Sequence, residues 1–282
     1  MKPIFDKKGL HSFLSSDKGK PGTLGLVPTM GALHQGHLSL VQQALSENSK
    51  VVVSIFVNPT QFNNPEDLEK YPKTLEADLA LLKSVSEEII VFAPSVSELY
   101  SLDISSKSYS FNGLDKVMEG AFREGHFNGV ATIVEILLTL VRPDKAYFGE
   151  KDFQQLQIVR KLADKLHFPV DIVGCPIVRE PNGLAMSSRN QLLSESIRQR
   201  AGIIYKTLHA AKCMFGTENA TKIIEYVKGA FHKEPDIELE YFQIADTETL
   251  TPLKRKQENL KYRGFIAVYA EGVRLIDNIA LN

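Results

Sequence analysis

Five apolar runs, Leu24–Val27, Val51–Val57, Ile89–Phe92, Ala146–Phe148 and Val170–Val173, lack the strict polar alternation of a strand that is wet on one side. Short continuous runs of this kind fit strands covered on both faces. Helical periods fill the gaps: residues 38–45, then Leu75, Leu79 and Leu82, then Val130, Ile133, Val134, Leu137, Leu140 and Val141, then Phe153, Leu156, Val159, Leu162 and Leu166. Alternating strand and helix calls for right-handed crossovers and a parallel sheet, so residues 1–175 are expected to form a doubly wound, Rossmann-like α/β domain. Ligands of such sheets sit outside the carboxyl ends of the strands.

After Cys175-Pro176 the pattern changes. A long helix over 195–214, another over 221–231, and alternating strands near 239–245 and 265–270 predict a smaller α+β domain over residues 176–282. The serine-rich stretch 101–110 is expected to be a mobile loop. Cys175 and Cys213, far apart and without metal-site spacing, read as buried, reduced thiols.

Charge excludes one large class of partner. With 33 Lys+Arg against 34 Asp+Glu the net charge is −1, so no broad positive field would gather nucleic acid or anionic lipid. No apolar run approaches the roughly 20 residues that cross a bilayer, and the first residues lack the apolar core of a signal peptide. A cytoplasmic location is expected.

Polar clusters fall where the sheet would bind. The first strand runs into Pro28-Thr29-Met30-Gly31-Ala32-Leu33-His34-Gln35-Gly36-His37 and then a helix, a junction that aims backbone N–H groups and the positive dipole end at one spot. That spot suits an anion such as a nucleotide triphosphate, and the two imidazoles can donate to phosphate oxygens. The second strand ends in Asn58-Pro59-Thr60-Gln61-Phe62; Gln61 suits a small polar substrate, while Asn-Pro is also an everyday turn. The fourth ends in Gly149-Glu150-Lys151-Asp152, followed by Gln154 and Gln155. Lys151 can follow growing charge on a phosphate and Asp152 can accept from ribose, or the two can simply start a helix. Farther on, Met186-Ser187-Ser188-Arg189 sets short donors beside one planar guanidinium. His126 reads as a satisfied histidine at a helix start, and Asp67, Glu69, Glu76 and Asp78 as a solvated acidic face with no metal cage.

An H-x-G-H at the first strand–helix junction with a distant serine-rich basic loop resembles the nucleotidyltransferase superfamily. The ordered set of residues 28–37, Phe56-Val57-Asn58-Pro59-Thr60-Gln61-Phe62, Tyr71-Pro72-Lys73-Thr74, Gly149-Glu150-Lys151-Asp152 and Met186-Ser187-Ser188-Arg189-Asn190 is narrower, and resembles the pantoate–β-alanine ligase family over nearly the whole chain. That resemblance implies a carbon–nitrogen ligase that condenses pantoate with β-alanine through a pantoyl adenylate, consuming ATP with Mg²⁺ and releasing AMP and pyrophosphate. It also implies a cytoplasmic homodimer on the route to coenzyme A.

By the same resemblance Met30, Gly31, Ala32, Leu33, His34, Gln35, Gly36 and His37 bind ATP, with His37 as proton donor. Gly149, Glu150, Lys151, Asp152, Val178, Met186, Ser187, Ser188 and Arg189 complete the ATP contacts; His34, His37, Lys151 and Arg189 carry catalysis. Gln61 contacts pantoate and β-alanine, and Gln155 contacts pantoate. The family commonly has Arg at Lys73, Pro at Glu124 and Asp at Asn182; the last change removes a carboxylate beside the closing loop. The alternatives are another adenylyl-transferring enzyme of the superfamily and a nucleotide sensor without chemistry.

Overall fold

The computed structural model describes residues 2–16, 22–100 and 103–282. Chain contacts divide it into two units, one of residues 1–150 and 154–176, the other of residues 151–153 and 177–282.

In chain order the first unit carries α1 (Lys7–Ser16), β1 (Leu24–Thr29), α2 (Gln35–Glu47), β2 (Lys50–Ile55), α3 (Pro65–Lys70), α4 (Leu75–Val85), β3 (Ile90–Phe92), α5 (Val96–Tyr100), α6 (Glu119–Phe122), α7 (His126–Val141), β4 (Lys145–Gly149), most of α8 (Phe153–Lys165) and β5 (Asp171–Cys175). Its sheet is parallel in the order β3-β2-β1-β4-β5. All five expected strands are present. The order reverses between β1 and β4, the place where a doubly wound sheet opens a crevice at its carboxyl edge. Val27, Val51, Val53 and Val91 from the strands pack with Leu38, Val41, Ala44 and Leu82 from α2 and α4, so the apolar runs are buried as their lack of alternation requires.

The second unit holds α9 (Glu195–Arg200), α10 (Ile203–Phe215), α11 (Ala220–Phe231), β6 (Ile237–Asp246), β7 (Tyr262–Ala270) and β8 (Val273–Ala280). Its three strands form an antiparallel sheet in chain order. Ile204, Leu208, Ile223 and Val227 of the helices pack on Phe242, Ile266, Val268 and Leu275 of the strands. The β8 strand was not expected; its Arg274, Asp277 and Asn278 hide the pattern.

The single helix expected over 195–214 is two. At the break the Asn182 amide donates to Arg198 O (2.8 Å) and Gln199 O (3.1 Å), carbonyls that a continuous helix would satisfy itself. Gly202 sits so close to the Asn182 carbonyl that a methyl there would lie 2.4 Å from it. A carboxylate at position 182, which the resemblance would lead one to expect, could not donate these bonds.

The loop expected at 101–110 lies partly outside the described residues. Over 103–110 it forms no helix or strand but is tied to α7: Lys107 N donates to Thr132 Oγ1 (2.9 Å), Tyr109 N to Asn128 Oδ1 (3.1 Å), and Lys107 Nζ and the Tyr109 hydroxyl to Glu135. Cys175 is buried, and burial pushes its thiol up to about 11. Cys213 is exposed on α10, against expectation, because it lies on that helix's outward side while Thr207, Leu208 and Ala211 face in. Among the described residues no helix is long and apolar enough to cross a membrane.

Candidate active site

Between β1 and α2 the chain makes two successive left-handed residues, Gly31 (φ 80°) and Ala32 (φ 49°). Ala32 is the costly one, since a Cβ disfavours this conformation. Asp78 of α4 holds it there. Its carboxylate accepts from Ala32 N (3.1 Å) and Leu33 N (2.8 Å), and only 1% of the residue is exposed. A methyl at Gly31 would lie 3.0 Å from Asp78 Oδ2 and 3.2 Å from Ile55 Cγ2, so the glycine gives the carboxylate room. Asp78 therefore does not belong to a solvated acidic face; it is a buried anchor, reached across 46 positions of sequence.

The N-terminus of α2 is capped by its own histidines. His34 Nδ1 accepts from Gly36 N (3.1 Å), His37 Nδ1 accepts from His34 N (3.3 Å), and the ring centroids lie 4.1 Å apart. This is a capping box written in imidazoles. A ring that accepts at Nδ1 keeps its lone pair there, so the neutral form carries hydrogen on Nε2. Gly31 N donates to Thr29 Oγ1 (3.2 Å), and His37 N and Leu38 N donate to His34 O (2.8 and 3.1 Å). The backbone donors expected to await an anion are thus mostly engaged within the protein: Asp78, the two imidazoles and Thr29 take N–H groups of the loop. The second nitrogen of each neutral imidazole is thus an Nε2–H donor.

Gln61 ends a 3-10 turn, Pro59–Gln61, that follows β2. Its amide donates to Met30 Sδ (3.0 Å) and accepts from Asn58 Nδ2 (3.1 Å), so the second strand tip is brought onto the H-x-G-H loop. Asn58, 1% exposed, also donates to Gly129 O (3.1 Å) and accepts from Tyr100 OH (2.6 Å) and Thr60 Oγ1 (3.1 Å). Burial holds the Tyr100 phenol above its ordinary range, against the pull of Thr60 and Asn58, which keeps it a donor. Beneath the turn lies Gly129 of α7, where a methyl would fall 2.2 Å from Thr60 O and 2.7 Å from Gln61 Cα. His126 is satisfied as expected, with Nδ1 2.8 Å from Gln61 O and Nε2 3.2 Å from Arg123 Nη1.

At the tip of β4, Gly149 and Glu150 stay with the first unit, while Lys151 and Asp152 group with the second. Lys151 Nζ lies 3.5 Å from Asp152 Oδ1. Gln154 is buried and structural, bonding Glu119 N, Leu114 O and Val117 O; Gln155 beside it on α8 is only partly buried.

In the second unit the segment 178–190 is a braced hairpin. Met186 N donates to Val178 O (3.0 Å) and Glu180 N to Leu184 O (2.8 Å), and Gly183 takes the left-handed position (φ 94°) after Pro181-Asn182. Arg179 reaches Asp277 with both guanidinium nitrogens (2.6 and 3.1 Å) and lies 3.8 Å over the Tyr205 ring. Glu180 ties Arg198 to Asn190. Ser187 caps the 3-10 turn Ser188–Leu192 by accepting from Arg189 N (3.3 Å).

The family model described as pantoate-beta-alanine ligase matches residues 4–280. A pantothenate synthetase of Christiangramia forsetii is 54% identical over 282 residues, with 100% of both chains covered. Among solved structures, the pantothenate synthetase of Thermus thermophilus superposes with a TM-score of 0.91 at 41% identity, covering 100% of this chain and 99% of the other. The pantoate-beta-alanine ligase of Francisella tularensis, solved with beta-gamma ATP and beta-alanine, gives 0.82 at 35% identity, covering 100% and 98%. The buried strand tips, the paired imidazoles and these full-length matches lead to one conclusion: the chain belongs to the pantoate–β-alanine ligase family.

Proposed function

We propose that this chain condenses pantoate with β-alanine at the expense of ATP, through a pantoyl adenylate. A carboxylate is a poor acyl donor because oxide is a poor leaving group. In the first step a pantoate carboxylate oxygen attacks the α-phosphorus, the bond from that phosphorus to the α,β-bridging oxygen breaks, and pyrophosphate departs with that oxygen. In the second the β-alanine amine attacks the acyl carbon, AMP leaves with the former carboxylate oxygen, and the amine gives up a proton. Catalysis of the first step is mainly positioning and stabilisation of growing negative charge.

The observation that carries this reading is the reciprocal capping of His34 and His37, which fixes both rings with Nε2–H as the donor. Protonating either ring would place hydrogen on Nδ1 and break the cap it accepts. His37 and His34 are therefore proposed to donate hydrogen bonds from neutral rings to the triphosphate. Met30, Gly31, Ala32, Leu33, Gln35 and Gly36 shape the ATP loop, and Gly149, Glu150, Lys151, Asp152, Val178, Met186, Ser187, Ser188 and Arg189 are proposed to bind ATP, Lys151 and Arg189 supplying charge. Gln61 is assigned to pantoate and β-alanine, and Gln155 to pantoate. Met30 under the Gln61 amide favours one small-acid site beside the loop.

Mg²⁺ is proposed to arrive on the triphosphate as part of the substrate, held by phosphate oxygens and water, as a reluctantly dehydrated cation prefers. Among the described residues no group of three or more His, Cys, Asp and Glu side chains is placed to hold a metal ion. A cytoplasmic homodimer is proposed as well, and sedimentation at micromolar concentration tests the dimer. The relatives and solved structures reported above are named pantothenate synthetase or pantoate-beta-alanine ligase, and neither a different adenylyl transferase nor a sensor finds support among them. The experiment is pyrophosphate release: it is expected with ATP and pantoate together, before β-alanine is added, and with neither alone.

A further inference from the structure

Within the second unit, the turn that carries Lys151 is gripped by the C-terminal sheet. Asn278 of β8, 2% exposed, donates from Nδ2 to Lys151 O (2.9 Å). Its other amide atom, Oδ1, accepts from Arg263 Nη1 of β7, and its backbone N donates to Asp277 Oδ1 (2.7 Å). Arg263, 9% exposed, lies in turn 4.0 Å over the ring of Phe153, two residues beyond Lys151, and that ring also packs on Phe265 at 6.0 Å. The Phe153 ring and the carbonyl of Lys151 are thus held by β7 and β8, although Lys151 precedes those strands by more than a hundred residues.

Such an arrangement is costly for packing alone. A buried asparagine whose two amide ends are both spent, one on an arginine and one on a single backbone carbonyl, would be replaced by an apolar side chain if only volume mattered. Its geometric effect is to fix the backbone from which a long, rotamer-rich lysine projects. The neighbouring Asp277 holds Arg179 at the base of the 178–190 hairpin. Adjacent residues of one strand therefore brace the Lys151 turn and the segment that leads to Ser187–Arg189.

We propose that Asn278 is a positioning residue for Lys151, acting on adenylate formation through the hydrogen bond to the Lys151 carbonyl. This rests on the reading of Lys151 as a charge-stabilising group for ATP. The lysine carries the chemistry, and Asn278 touches no reacting atom.

A double-mutant cycle in the full-length enzyme tests it, with N278A, K151A and both together read as single-turnover adenylate formation and as KM for ATP and for pantoate. N278A is expected to slow adenylate formation roughly 10- to 100-fold, the scale of an ångström-sized misplacement, and to leave pantoate KM within about twofold. Added to K151A it should cost almost nothing more, because the group it positions is already gone. N278D keeps an oxygen for Arg263 yet has no N–H for Lys151 O, and it should reproduce the N278A loss with a near-native melting temperature. Losses that multiply in the double variant, or a wild-type rate in folded N278D, would overturn the proposal while leaving Lys151 in its role. A K151A enzyme with an unchanged rate would remove the reading of Lys151 itself, and this proposal with it.

Discussion

His34 and His37 cap one another across the first turn of α2: each Nδ1 accepts a backbone N–H, and the ring centroids stand 4.1 Å apart. One pair of side chains thus closes the helix start through Nδ1, which puts the hydrogen of each neutral ring on Nε2. Helix capping and phosphate chemistry use different nitrogens of the same rings, so they can be separated by mutation.

His37→Ala is expected to slow adenylate formation about 10²-fold or more while costing about 1 kcal/mol of stability for the lost cap. His34→Asn restores a capping acceptor without an Nε2 donor. It should melt near the wild-type temperature and still lose activity, measured by rapid quench; full activity in H34N would assign His34 to the fold alone.

Asp78→Ala leaves the buried Ala32 and Leu33 N–H groups without their acceptor, at roughly 1–3 kcal/mol for each. The left-handed Ala32 also loses what holds it. Urea unfolding should show a drop of several kcal/mol and ATP KM should rise, whereas Glu76→Ala, on the same helix but exposed, should change neither.

Gly129→Ala pushes a methyl into the Thr60 carbonyl and the Gln61 backbone. If Gln61 contacts pantoate, KM for pantoate rises roughly tenfold or more while ATP binding by calorimetry stays close to wild type. Gln61→Ala should show the same selectivity. Equal losses for both ligands would make the turn a structural element only.

Acid stability has a named contributor in Glu47. A hydrogen bond from Lys145 first, then those from Gln43 and Tyr147, hold its carboxyl at about 2 against an ordinary 4.5. The folded value lies below the unfolded one, so this stabilisation is complete above about 4.5 and fades as pH falls through about 2. Glu47→Gln should therefore unfold more easily than wild type near neutrality, and the gap should close on acidification; a gap independent of pH would place the effect elsewhere.

Much of the architecture was legible in the sequence because it rests on local pattern. Val51, Val52 and Val53 with no polar alternation demand cover on both faces, and that alone orders β2 inside a parallel sheet. The motif His34-Gln35-Gly36-His37 likewise marks the start of α2. What escaped is nonlocal. Asp78 reads as one more acid on an amphipathic helix until the fold brings it to Ala32, and nothing near Asn278 announces Lys151. Gly129 gives no signal inside an aliphatic helix, since its reason is the backbone lying against it. The split of the 195–214 helix also depends on a distant residue, Asn182, whose amide takes the helix carbonyls. The expectation of open backbone donors at the H-x-G-H failed for the same reason: the partners that occupy them come from another helix and from side chains folded back.

The measurement that bears most directly on the account is the fate of a heavy-oxygen label placed in the pantoate carboxylate. Attack of that oxygen on the α-phosphorus followed by amine capture predicts one labelled oxygen in the phosphate of the AMP released, in step with pantothenate formed. Unlabelled AMP, or formation of ADP and inorganic phosphate in its place, would contradict a pantoyl adenylate.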